Sequence, residues 1–238
     1  MPKESQNKIN ARWPIYIGEF HNEEHADIKD DLIKFFGEYE KKFPEGNDEA
    51  NKKEAALGRA TGAENYNLYE SKCNLHNEKN EAFEKVLKFI SKGFLTMSNN
   101  ANKNYISKLK IDNPKFNVKI TESWFIRYDK GGLVFPHHHG NCSWCCVYYV
   151  QIGKDANRKN GSTYFMRPYV TGGKNDFGGF FYASEAAGVV EAEEGKLVIW
   201  PNFLHHGSYP YSGEKNRIIV SANALLSLTK DNKPVISL

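Results

Sequence analysis

The chain has 238 residues, 40% apolar and 26% charged, the balance of a folded globular protein and not of a disordered or fibrous one. Its formal net charge of +3 is too small, and its lysines too evenly mixed with acids, for an electrostatic nucleic-acid surface, so no nucleic-acid partner is expected. No run reaches the roughly 18 apolar residues of a membrane helix, "MPKESQNKIN" lacks the apolar core of a signal peptide, and four cysteines do not make a disulfide scaffold; a cytoplasmic location without membrane association is the expectation.

"WPIYIGEF" (Trp13–Phe20) is β-branched and aromatic with rough alternation, which predicts a strand. "NEEHADIKDDLIKFFGEYEKKF" then places Ile28, Leu32, Phe35, Phe36 and Tyr39 at helical spacing, with acids leading and lysines closing, as the helix dipole favours. Residues 44–62 read as a loop with a short helical turn. A second helix is predicted around the stripe Phe83, Val86, Leu87, Ile90 and Phe94.

From about residue 104 short β-rich runs alternate with Gly, Asn and Asp clusters. "NVKITESWFIRYDKGG" predicts a strand ending in a turn, and "WCCVYYVQI" a strand buried on both faces. "GSTYF", "GFFYAS", "KLVIWP" and "RIIVSANALLSL" predict further strands. The expected class is therefore α+β, mainly β: one domain over residues 1–238. Its strand and helices, at about 12–103, pack on one sheet of a jelly-roll (double-stranded β-helix) core at about 104–230.

Five of the eight histidines fall in two clusters, His137–His139 and His205–His206, each beside a predicted strand end. Residues i and i+2 share a strand face, so His137 and His139 can hold one ion while His138 points elsewhere. One residue of the 205/206 pair completes a set of three, which leaves open positions for catalysis. Cys142-Ser-Trp-Cys145 has CxxC spacing, but the chain has no second such pair, and Cys within an apolar strand reads as a small buried hydrophobe. His21, His25, His76 and Cys73 are given no role.

"RYDKGGLVFPHHH" (Arg127–His139) is similar to the "RY–GG–PHxD" stretch of prolyl 4-hydroxylase-like enzymes, which are Fe(II)/2-oxoglutarate-dependent oxygenases. "HHHGNCSWCCVYYVQ" resembles a bacterial and phage branch of that superfamily with an HxH motif. "GSTYF", "EGKLVIWPNFLHHGSYPY" and "RIIVSAN" resemble the family's later strands, in its order, so that the resemblance spans roughly residues 120–227. It implies that His137 and His206 are iron ligands and that Arg217 clamps the distal carboxylate of 2-oxoglutarate. Tyr149 and Tyr128 resemble tyrosines that hydrogen-bond the same cosubstrate. Asn223, six residues after Arg217, recurs in the branch and is given no role.

The resemblance implies a dioxygenase that hydroxylates an amino acid, a peptide or protein, or a small molecule, with release of succinate and CO₂. His139 stands where most of the superfamily has Asp or Glu. Ligation by His139 is the expectation; the other arrangement keeps it behind the metal with water in its place. The alternatives are a three-histidine cupin-type dioxygenase without 2-oxoglutarate, in which Arg217 has no task, and a non-catalytic jelly-roll binding protein. The Gly-rich stretch Thr171–Gly188 is either a substrate-covering loop or a plain connection. A homodimer is compatible with the sequence.

Overall fold

Alternation along one strand organises the molecule. In the computed structural model, which describes residues 14–48, 66–108, 114–168, 187–230 and 233–234, strand β3 runs from Lys115 to Leu133. Phe125 faces one apolar cluster, while Ile126 and Tyr128 face another. The first cluster lies between a large sheet and two helices. The second lies between that sheet and a smaller one.

The large antiparallel sheet has the order β1-β7-β4-β9-β3-β2, with β10 paired to β9. Its members are β1 (Gly18–His21), β2 (Tyr66–Glu70), β3, β4 (Trp144–Gln151), β7 (Lys196–Pro201), β9 (Arg217–Lys230) and β10 (Lys233–Pro234). The small sheet has the order β6-β5-β8, formed by Ala187–Val190, Thr163–Met166 and His206–Ser208. A bridge between His137 and His206 continues it.

Strand β4 is buried on both faces, as its continuous apolar sequence predicts: Cys146, Tyr148 and Val150 meet the helices, and Cys145, Val147 and Tyr149 meet the small sheet. Helix α1 (His25–Lys42) buries Ile28, Leu32, Phe36 and Tyr39. Phe36 stacks on Phe125 of β3, with ring centroids 4.4 Å apart. Arg127 ties the same helix to β3 through a two-point contact with Glu40, at 2.7 and 3.0 Å. Helix α2 (Glu81–Ile106) starts at Asn80, whose side chain accepts from Phe83 N at 2.9 Å, a normal N-cap. Trp144 of β4 donates its indole hydrogen to Ser98 of α2 at 2.9 Å.

The expected mainly β chain with helices packed on one sheet is thus observed. Some bounds differ. The first strand begins only at Gly18, and residues 14–17 have no regular structure. Helix α2 extends twelve residues beyond the predicted stripe, to Ile106. Strands β2 and β6 were not predicted. "GFFYAS" and nearly all of the 171–188 loop lie outside the described residues, as does most of 44–62. Among the described residues no helix is long and apolar enough to cross a membrane.

Candidate metal and anion site

The inward row of β9 is Arg217, Ile219, Ser221 and Asn223, at the period of two that pleating imposes. Its neighbours in the ladder with β3 are Tyr128 opposite Arg217, Ile126 opposite Ile219, Trp124 opposite Ser221 and Glu122 opposite Asn223. This surface forms one wall of a cavity of about 870 Å³. His137, His139 and His206 close it from the side of the small sheet.

The three histidines converge there, their ligating nitrogens all within 4.8 Å of one another. His137 N donates to His206 O at 2.9 Å and His206 N donates back at 2.9 Å, so the two strands set the approach of the rings. His138 and His205, each next to one of these three, are exposed and lie against each other, with centroids 4.7 Å apart, although His138 also borders the cavity. The five clustered imidazoles thus divide into a converging, inner three and an exposed two, although of the five only His137, in an isolated bridge, and His206, in β8, take part in backbone pairing of strand type.

Each inner ring has an acceptor at Nδ1. His137 lies 2.9 Å from Phe135 O, His206 2.9 Å from Leu204 O, and His139 2.7 Å from Asn223 Oδ1. A carbonyl oxygen only accepts, so His137 and His206 carry their hydrogen on Nδ1. The Trp200 indole nitrogen also lies 3.1 Å from His206 Nδ1, but that nitrogen cannot accept while it donates to Leu204. Asn223 is oriented in turn by Glu122, which only accepts and takes the amide hydrogen at 2.6 Å. Its Oδ1 is thus the atom facing His139, and His139 is also protonated at Nδ1.

All three Nε2 atoms then carry lone pairs. His137 Nε2 and His139 Nε2 are 3.2 Å apart with no hydrogen between them. Two facing lone pairs repel unless a cation lies between them. Two imidazole nitrogens each about 2.0–2.1 Å from one ion stand roughly 2.8–3.4 Å apart at angles of 90–109°, so the His137–His139 spacing fits a shared metal, and the ligating nitrogen of His206 lies within 4.8 Å of both. Desolvation lowers all three pKa values, that of His139 to about 4, which keeps the lone pairs free at neutral pH.

This has a stability consequence. Above pH 6.5 folded and unfolded histidines are alike neutral. As pH falls from 6.5 toward the depressed folded values, the unfolded chain takes up protons that the folded one refuses, and stability falls, by at most about 1.4 kcal/mol per pH unit for each histidine. The Tm of the metal-free protein should therefore decline between pH 7.5 and pH 5, with a shallower slope in a His139→Gln variant. Equal slopes would contradict the burial assigned to His139.

At the other end of the cavity Arg217 is 1% exposed. Among the described residues its Nε and Nη1 have no hydrogen-bond partner and no carboxylate pairs with it. Its guanidinium lies 4.2 Å from the Tyr128 ring centroid and 5.4 Å from that of Tyr149. A buried cation with two orphaned donors is costly unless an anion joins it. Tyr128 lines the cavity beside Ser208 and Thr163; burial raises its pKa, so its hydroxyl stays protonated. Gly161, at φ +75°, turns the chain into β5 where a Cβ would stand 2.7 Å from Tyr211 and 3.3 Å from Arg217.

Tyr149 does not line the cavity; its hydroxyl bonds to Thr163 Oγ1 at 2.6 Å, and Thr163 does. Sequence reasoning missed Glu122, Trp124, Thr163 and Ser208. The first two were legible as the i, i+2 continuation of Tyr128 along β3. Trp124 stacks on His139, with centroids 5.9 Å apart. Cys142, Cys145 and Cys146 are buried, as expected of strand filler. Cys142 and Cys145 also form a second group with His139 whose ligating atoms lie within 4.8 Å. Burial pushes the Cys145 thiol up, which keeps it protonated.

Comparison with known proteins adds the following. Residues 122–223 match the family model described as "Putative 2OG-Fe(II) oxygenase". No curated protein sequence matches the chain. Among solved structures, a prolyl-4-hydroxylase from Pseudomonas putida is 14% identical, covering 88% of this chain and 91% of that one, with a TM-score of 0.49. The viral collagen prolyl hydroxylase from Paramecium Bursaria Chlorella virus-1, solved with 2OG, is 15% identical, covering 88% and 95%, with a TM-score of 0.48. HygX from Streptomyces hygroscopicus, solved with nickel, 2-oxoglutarate and hygromycin B, is 11% identical, covering 75% and 78%, with a TM-score of 0.43.

Proposed function

We propose that this chain, whose residues 122–223 match the model of a 2OG-Fe(II) oxygenase family, is an Fe(II)- and 2-oxoglutarate-dependent dioxygenase that hydroxylates an amino acid, a peptide or protein, or a small molecule. One observation carries the reading: a buried arginine with two orphaned donors shares a cavity with three imidazoles whose lone pairs converge. The imidazole end suits a cation and the arginine end an anionic group, and a metal-chelating dicarboxylate such as 2-oxoglutarate can join the two.

His137, His139 and His206 would hold the iron through Nε2, each ring kept in the required tautomer by its Nδ1 partner. When bound, iron with 2-oxoglutarate and O₂ supplies the oxidation, which yields succinate and CO₂. Arg217 would receive the distal carboxylate, with the Tyr128 hydroxyl beside it. Tyr149 acts by orienting Thr163. Ile126, Val147 and Ile219 line the space between the two ends and keep water out. Three neutral ligands leave one more positive charge on the complex than two histidines and a carboxylate would. A three-histidine dioxygenase without 2-oxoglutarate would leave the two donors of Arg217 unexplained.

The test is a succinate-release assay with Fe(II), ascorbate and O₂ across amino acids and peptides. Succinate should form only when 2-oxoglutarate and iron are both present, and a substrate should raise its rate. Oxidation of a substrate that proceeds equally well without 2-oxoglutarate would overturn the assignment.

A further inference from the structure

His139 is an imidazole at the position where a carboxylate ligand is expected, and its surroundings differ from those of the other two histidines. The Nδ1 partners of His137 and His206 are backbone carbonyls two residues earlier in the chain. The partner of His139 is a side chain 84 residues away, Asn223 Oδ1 at 2.7 Å. Asn223 is 5% exposed, and its amide nitrogen donates to Glu122 Oε2 at 2.6 Å.

Backbone pairing sets this chain of contacts. Glu122 and Asn223 are direct cross-strand partners, and Asn223 is also paired with Cys145 on the other side. The β3–β9 register shifts between Ile120 and Glu122. Ile120 and Val118 pack toward the helices, whereas Glu122, itself solvent-exposed, borders the cavity in line with Trp124, Ile126 and Tyr128. A bulge that re-aims a side chain beside a site is a common device. Here it brings a carboxylate against the back of the side-chain amide that accepts from the His139 ring.

We infer that Asn223, anchored by Glu122, is the positioning residue that makes His139 a metal ligand. The inference rests on the reading of His137, His139 and His206 as the metal site. Glu122 fixes the amide so that Oδ1 can only accept from His139. That holds the His139 hydrogen on Nδ1 and turns the Nε2 lone pair toward His137. The negative charge of Glu122 polarises the amide, and the amide polarises the imidazole, as hydrogen bonds in series do. The site thus regains, through one intervening amide, part of the negative charge lost with the missing carboxylate ligand. The outer partners of ligating histidines are normally carboxylates, carbonyls or water, and their loss costs about 10- to 100-fold in metal affinity.

Cobalt(II) titration of metal-free protein, followed by calorimetry and by the visible cobalt spectrum, tests this. Asn223→Leu keeps the volume but removes the acceptor, and should weaken cobalt binding about 10- to 100-fold. Asn223→Asp, combined with Glu122→Gln to relieve charge repulsion, retains an acceptor for His139 Nδ1 and should restore binding to within about threefold of wild type. The His139 Nδ1–H signal in ¹⁵N-edited NMR of metal-free protein should be present in wild type and in the Asp/Gln double variant, and lost in Asn223→Leu. Circular dichroism identifies variants that do not fold.

Cobalt binding by Asn223→Leu equal to wild type, with an unchanged spectrum, overturns the role. So does a double variant as weak as Asn223→Leu, since the residue then acts by packing alone. A wild type that takes up no cobalt, or takes it up unaffected by His137→Ala, overturns the metal-site reading itself, and this role with it.

Discussion

Replacement of Arg217 by leucine should abolish measurable 2-oxoglutarate binding while metal uptake stays at the wild-type level. The guanidinium is 1% exposed and carries two donors without partners. Truncating one member of a buried, hydrogen-bonded charge pair costs about 2–5 kcal/mol, on the order of 30- to 4000-fold in Kd. Arg217→Lys keeps the charge but loses the planar fork and should fall between. A second readout separates this role from a structural one. Among the described residues no carboxylate pairs with this buried cation, so removing it from the ligand-free protein should raise the Tm, in the manner of a site that holds strain for function. An unchanged affinity for 2-oxoglutarate, or a Tm lowered by several degrees, would count against the assignment.

The second large effect concerns the metal. His137→Ala and His206→Ala should each lower Fe(II) affinity by more than the roughly 10- to 100-fold that loss of an outer hydrogen-bond partner costs. His138→Ala and His205→Ala should leave it unchanged. The contrast is sharp because neighbours in sequence are compared: His138 stands between two inner residues, and His205 beside a third. Metal content by atomic absorption after anaerobic loading decides it. Loss of metal in His138→Ala with retention in His137→Ala would reverse the strand-face assignment.

Much of this site was legible because alternation along strands is a strong local rule. Alternation singled out His137 and His139, whereas His206, Arg217 and Tyr128 were legible only through the family resemblance; the β3–β9 ladder places Arg217 and Tyr128 directly opposite each other. The helix stripes were legible for the same reason, at a period of 3.6. The extension of α2 to Ile106 was not, because "SNNANKN" is poor in helix formers. There Asn100 and Asn102 donate side-chain hydrogens to Thr96 O and Ser98 O at 3.0 and 2.9 Å. Met97 and Ser98 are also buried on that helix.

Strands β2 and β6 are short, and "YNLYE" and "AGVV" gain their strand form from partners far along the chain, β3 and β5. The Glu122–Asn223–His139 series was illegible for a similar reason. It depends on a register shift and on a contact spanning 84 residues, which no local pattern encodes. Tyr149 is the instructive intermediate. The resemblance named it as a cosubstrate contact, but Thr163, a strand away, shares a hydrogen bond with its hydroxyl and itself lines the cavity.

The most direct measurement is an anaerobic titration of the Fe(II)-loaded protein with 2-oxoglutarate, read by visible absorption. The geometry predicts the weak charge-transfer band of an iron–2-oxoglutarate chelate, saturating at one 2-oxoglutarate per iron and absent in Arg217→Leu at the same concentrations. No band in the wild type, together with no 2-oxoglutarate binding by calorimetry, would contradict the account.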